Sequence, residues 1–208
     1  MEMRRYVSKG GGPTIVIASM KGSGETIASR VIDVTCDIPL TLLVFESDSW
    51  FDDFSPWPSE AGGRSFGGLG RESLEEIEEA APEGSLIAGY SLAGLFALWA
   101  LYSSDVFTGA ACCSGSLWYE GWDKFVESRA VPPESSVYLS LGGKESGSGR
   151  PPMSTIGECY LRQEMLLKQD PGVSRMIYVK ERGGHFTDPD GRLARGIIWL
   201  AENGRTDG

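Results

Sequence analysis

The chain has 208 residues, of which 41% are hydrophobic and 23% charged, a balance that supports one packed core and excludes an intrinsically disordered chain. The 19 Lys and Arg against 29 Asp and Glu leave a formal charge of −10, which opposes contact with a phosphate backbone or an anionic lipid surface. A single domain over residues 1–208 is expected, with neither nucleic acid nor membrane as partner and the oligomeric state left open.

Near the N-terminus, Arg4-Arg5 leads to Lys9 and three glycines rather than to the apolar stretch of a secretion signal. The apolar run 14–20 is far shorter than the ~20 residues of a membrane span, so a cytoplasmic location is the default expectation. That run contains the first of six short apolar segments, at 14–17, 40–45, 86–88, 110–113, 137–141 and 176–179. Most are apolar on both faces, as strands covered by helices on either side must be, and the intervals are long enough for crossover helices. The alternation predicts a mostly parallel central sheet.

Helices are expected at 71–80, 92–102, 158–168 and 193–201. In the first, Leu74 and Ile77 share one side against five glutamates, and Pro82 and Gly84 end it. The second is apolar almost all round and must be buried. Residues 47–70 hold Trp50, Trp57, prolines and glycine clusters without periodicity; they read as a long ordered aromatic loop lining a ligand crevice. Cys36, Cys112, Cys113 and Cys159 form no CxxC pair and read as reduced core thiols.

Two pentapeptides fit the strand-turn-helix pattern that exposes a nucleophilic serine: Gly63-Arg64-Ser65-Phe66-Gly67 and Gly89-Tyr90-Ser91-Leu92-Ala93. The first has no apolar strand before it and no helix directly after it, so Ser65 reads as a loop serine. Ser91 follows Ser85-Leu86-Ile87-Ala88 and opens the apolar helix, with Gly89, Ala93 and Gly94 allowing close backbone approach. Ser91 is therefore the candidate nucleophile.

A serine hydroxyl needs a base, and the chain has one histidine, His185, in Gly183-Gly184-His185-Phe186 after the last apolar segment. The chain order of such sites places a carboxylate between serine and histidine. Glu145, in Gly142-Gly143-Lys144-Glu145-Ser146 after segment 137–141, fits that place; Asp188 or Asp190 is the reserve, and a Ser-His dyad stays open. Its role would be to fix the imidazole tautomer and stabilise the imidazolium. The oxyanion donors would be the Leu92 N–H and a second amide from Met20 or Lys21. Gly22-Ser23-Gly24 lacks the following Lys and Ser/Thr of a phosphate loop, so no nucleotide, cofactor or metal is expected.

With these residues in place, Gly-Tyr-Ser-Leu-Ala-Gly-Leu-Phe-Ala-Leu at 89–98, Ser-Gly-Ser-Leu-Trp at 114–118, Leu-Ser-Leu-Gly-Gly-Lys-Glu at 139–145 and Gly-Gly-His at 183–185 resemble, in order, blocks of the esterase branch of the α/β hydrolases that holds esterase D and the enterochelin esterases. The resemblance covers about residues 84–200. Ala93 stands where many relatives have Gly, Gly143 where an Asp is common, and the chain is shorter than most. It implies a three-layer sandwich around a sheet of about six to seven strands, and hydrolysis of a small-molecule carboxylic ester through an acyl-enzyme. It also places Trp118 near the pocket, with Tyr90 beside the nucleophile and the loop of Asp48, Trp50 and Trp57 overhanging the same edge. An aromatic floor with carboxylates beside it suits an apolar or aromatic group with a polar or cationic portion; alternatively Trp50 and Trp57 only pack the loop down. A ligand-binding protein on a hydrolase scaffold, or an acyltransferase, are the other readings.

Overall fold

The computed structural model describes residues 1–35, 38–61, 63–147 and 149–204. The reading of Cys36 as a core thiol therefore falls outside the described residues. In chain order the elements are β1 (Glu2–Ser8), β2 (Thr14–Met20), α1 (Gly24–Val34), β3 (Leu40–Ser47), α2 (Trp50–Asp53), β4 (Ser59–Ala61), β5 (Arg64–Phe66) and α3 (Gly70–Ala80). There follow β6 (Ser85–Tyr90), α4 (Leu92–Ser103), β7 (Phe107–Cys113), α5 (Trp122–Glu127), β8 (Ser135–Gly142), α6 (Ile156–Gln169), β9 (Val173–Glu181) and α7 (Pro189–Asn203).

Seven strands form one sheet in the order β1-β3-β2-β6-β7-β8-β9. All neighbours are parallel except β1, which pairs antiparallel with β3 from Glu2↔Glu46 to Ser8↔Leu40. All six apolar segments are strands of this sheet. The chain winds outward from β2 in both directions, so the crevice of the fold opens at the carboxyl ends of β2 and β6.

Alternation along each strand divides the core. Val16, Ala18, Leu43, Phe45, Ile87, Cys112 and Leu139 pack with α3, α4, α5 and α6. Ile15, Ile17, Leu42, Val44, Ala88, Cys113 and Tyr138 pack with α1 and α7 on the other face. The adjacent cysteines thus point to opposite sides, and Cys159 on α6 is only half-buried rather than a core residue. Helix α4 is buried along its length because it is covered on its outer side too: Phe96 meets Phe54 of segment 47–70 at 5.2 Å between ring centroids.

Segment 47–70 is more structured than a loop, carrying α2 and the β4–β5 hairpin. Its first turn is fixed by the Ser47 hydroxyl, which donates to Asp53 at 2.5 Å and accepts the Ser49 N–H at 2.8 Å. Among the described residues no helix is long and apolar enough to cross a membrane. Replacing Phe96, which is fully buried, by Ala should lower unfolding free energy by about 3–5 kcal/mol in urea melts, with the loop-borne tryptophans among the first to report the loss.

Candidate active site

Four consecutive parallel strands deliver the site. Beyond β6, Ser91 adopts φ 57° and ψ −122°, a conformation that is costly for a residue with a Cβ. It is held by its hydrogen bonds: the Ser91 N–H donates to the Cys113 carbonyl at 3.0 Å, while the Ser91 carbonyl accepts from Gly94 at 3.0 Å and from Leu95 and Ser116 at 3.1 Å. The turn also needs Gly89, where a Cβ would stand 2.0 Å from the Ala93 carbonyl oxygen. The result presents Oγ at the start of α4, where the Leu92 N–H has no acceptor within the helix.

His185 comes from the turn after β9 and Glu145 from the turn after β8. His185 Nε2 lies 3.1 Å from Ser91 Oγ, and its Nδ1 lies 2.8 Å from Glu145 Oε2. An ionised carboxylate only accepts, so Nδ1 carries the proton and Nε2 is free to accept from the serine. The other oxygen, Oε1, accepts from the Gly142 N–H at 2.7 Å, the Ser114 hydroxyl at 2.8 Å and the Arg192 guanidinium at 3.0 Å. Burial pushes the Glu145 pKa up, but the hydrogen bonds from His185, Ser114 and Gly142 outweigh it and hold the carboxyl below its ordinary value.

Of the two amides considered for the second oxyanion donor, that of Lys21 is engaged by the Ser47 carbonyl at 2.9 Å. Successive amides of an extended strand face opposite edges, so the Met20 N–H is on the β6 side of β2, away from β3.

A cavity of about 460 Å³ opens on Ser91 and His185, walled by Trp50, Phe51, Phe66, Trp118 and Phe186, with Arg64 at its side. Three residues expected to bind substrate do not line it. The Tyr90 hydroxyl donates to the His185 carbonyl. The Trp57 indole donates to the Glu120 carbonyl at 2.8 Å and packs on Phe125 and Tyr119, with ring centroids 5.4 and 5.8 Å away. Asp48 pairs with Lys21 at 2.7 Å on the surface. The loop carboxylate expected beside the aromatic floor is thus turned away from it, and the side chain that the loop region places there is Arg64, whose guanidinium lies 4.6 Å from the Phe51 ring centroid. Ser65, the competing elbow serine, is exposed on β5 and donates to Glu60 at 2.6 Å, and the reserve acid Asp188 accepts from Arg195 at 3.3 Å.

Sequence reasoning passed over Arg192, Ser114, Phe51, Arg64 and Phe66. Only Ser114 had a signal, since it begins the Ser-Gly-Ser-Leu-Trp block after β7. Burial pushes the Cys112 and Cys113 thiols up to about 12, which removes them as nucleophiles near neutral pH. Among the described residues no group of three or more His, Cys, Asp or Glu is arranged to hold a metal ion.

An IroE-like serine hydrolase from Shewanella oneidensis superposes with a TM-score of 0.76 at 15% identity, over 99% of this chain and 77% of that one. The chain has the α/β-hydrolase fold. Siderophore hydrolase EstA from Aspergillus nidulans superposes with a TM-score of 0.67 at 15% identity, over 98% of this chain and 95% of that one. In sequence, the chain is 26% identical over 167 residues to the uncharacterized protein YbbA of Bacillus subtilis, covering 72% of this chain. It spans 61% of the length of that curated relative. No family model matches.

A carboxyl whose folded pKa is depressed stabilises the fold above its unfolded pKa and ceases to do so as pH falls through the folded value. The stability advantage of the unmodified protein over Glu145→Gln should therefore be full at neutral pH and shrink on acidification below the ordinary carboxylate range, as followed by denaturant melts across pH.

Proposed function

We propose that this protein is a serine hydrolase that cleaves a carboxylic ester of a small molecule. The observation that carries the reading is the unbroken chain from Glu145 through the His185 ring to Ser91 Oγ, at 2.8 and 3.1 Å. Fold relatives named as a serine hydrolase and a siderophore hydrolase support the same reaction class.

In the proposed reaction, Ser91 Oγ attacks the ester carbonyl as His185 Nε2 takes its proton, and Glu145 stabilises the imidazolium. The oxyanion of the tetrahedral adduct is met by the Leu92 and Met20 N–H groups, donors of a kind worth about 2.7–4 kcal/mol each. The C–O bond then breaks, the alcohol leaves with the proton from Nε2, and the acyl group stays on Ser91. Water, deprotonated by His185 Nε2, attacks the acyl carbonyl; the bond from that carbon to Ser91 Oγ then breaks, Oγ takes the proton back from Nε2, and the acid is released. A scaffold that only binds ligands would have no need of the strained Ser91 backbone. An acyltransferase would share the first half-reaction and differ in giving new esters or amides when alcohols or amines are added.

The aromatic walls support an apolar or aromatic portion of the substrate. Arg64, which has no ion-pair partner among the described residues, supports an anionic or hydrogen-bond-accepting end in place of a cationic one.

Ser91→Ala should abolish both hydrolysis of a short aryl ester and labelling by a fluorophosphonate; persistence of either in the variant removes Ser91 from the mechanism. Arg64→Ala should lower kcat/KM for an aryl ester bearing a remote carboxylate about tenfold more than for its uncharged analogue, as read from parallel steady-state assays.

A further inference from the structure

Arg192, in the first turn of α7, is 1% exposed and heads the fully buried side chains ranked by volume. A guanidinium carries five N–H donors in a rigid plane and cannot shed its charge, so burial there requires a matching set of acceptors. Arg192 Nη1 donates to the Tyr90 hydroxyl at 3.2 Å and to Ser114 Oγ and Glu145 Oε1 at 3.0 Å. Nη2 donates to the carbonyls of Arg182 at 2.7 Å and Gly184 at 3.0 Å. These acceptors lie at or just past the carboxyl ends of β6, β7, β8 and β9, the four strands that supply the site.

Two consequences follow from the geometry. Arg192 and His185 bind different oxygens of the same carboxylate, Oε1 and Oε2, so the guanidinium fixes the rotamer without competing with the imidazole. The histidine turn contains Gly183 and Gly184, whose backbones are intrinsically free. Nη2 grips carbonyls on the N-terminal side of His185, and the Tyr90 hydroxyl, itself bound to Nη1, donates to the carbonyl of His185.

We propose that Arg192 is a positioning residue that sets the His185–Glu145 pair in register with Ser91, clamping the carboxylate and the histidine turn through one side chain. The proposal rests on the hydrolase reading for its kinetic consequence but not for its structural one. Lysine cannot replace arginine here, because an ammonium is a point charge with three donors and cannot span acceptors from four chain segments.

The test uses the purified full chain, with Arg192→Lys and Arg192→Gln each made in the wild-type and Glu145→Gln backgrounds, and thermal melts identifying the variants that fold. For hydrolysis of a short p-nitrophenyl ester, Arg192→Lys should lower kcat about 100-fold with KM changed less than about threefold, as expected for a misplacement on the ångström scale. The same change in the Glu145→Gln background should cost much less, since the carboxylate it orients is gone. The chain has one histidine, so the downfield proton resonance of a carboxylate-bound Nδ1–H belongs to His185 and should be lost or exchange-broadened in both Arg192 variants. Wild-type kcat with an unshifted imidazole proton, or an equal loss in both backgrounds, would overturn the proposal. If the wild type neither hydrolyses nor labels, the hydrolase reading fails on its own, and the proton resonance still decides the role of Arg192.

Discussion

A carboxylate withdrawn from water has to be met by donors, and the end of the sheet is arranged around meeting Glu145. Its side chain is 5% exposed, and a buried charge left unmatched would neutralise or unfold its surroundings. The donors come from the Gly142 backbone, Ser114, Arg192 and His185. Each constrains its own segment in turn. Ser114 is itself held at φ 45°, with its N–H on the Ser140 carbonyl at 2.7 Å. The site is thus one polar network, and its members fix one another's positions.

The parallel sheet makes that network possible. Side-by-side strands running the same way bring residues far apart in sequence, such as Ser91 and His185, to one end of the sheet, where the cavity opens on them. The strain at Ser91 is supported by the same construction, since its N–H and carbonyl are both bonded to the segment at and just beyond the end of β7.

What was legible in the sequence followed from burial. The five inner strands, β2, β3, β6, β7 and β8, are apolar on both faces and declared themselves, and the edge strand β9 did so through the run 176–179. Strand β1 did not: as an edge strand, its Glu2, Arg4 and Arg5 stay exposed, so it carries no hydrophobic signature. Helix α1 escaped because Ile27, Ala28 and Val31 form only a short apolar stripe, and α5, six residues long, is too short for a period to emerge. Ser91, Glu145 and His185 were nominated by chain order and by strand context, and these three converge. Arg192 could not be nominated, because a charged residue at the head of a helix reads as solvent-facing and its burial depends on acceptors from distant segments. For Trp50 and Trp57 the sequence offered two roles without a means of choosing; Trp50 lines the cavity and Trp57 pins the loop to Glu120.

Phe186, next to the histidine, is 91% exposed at the cavity rim, with its ring centroid 5.0 Å from the imidazole and edge-on to it. An aromatic face held in solvent keeps a hydration shell that any apolar group sliding over it sets free. Capture at this mouth would then begin with dewetting, ahead of any polar contact deeper in, and its signature would be a falling heat capacity as the ring is covered.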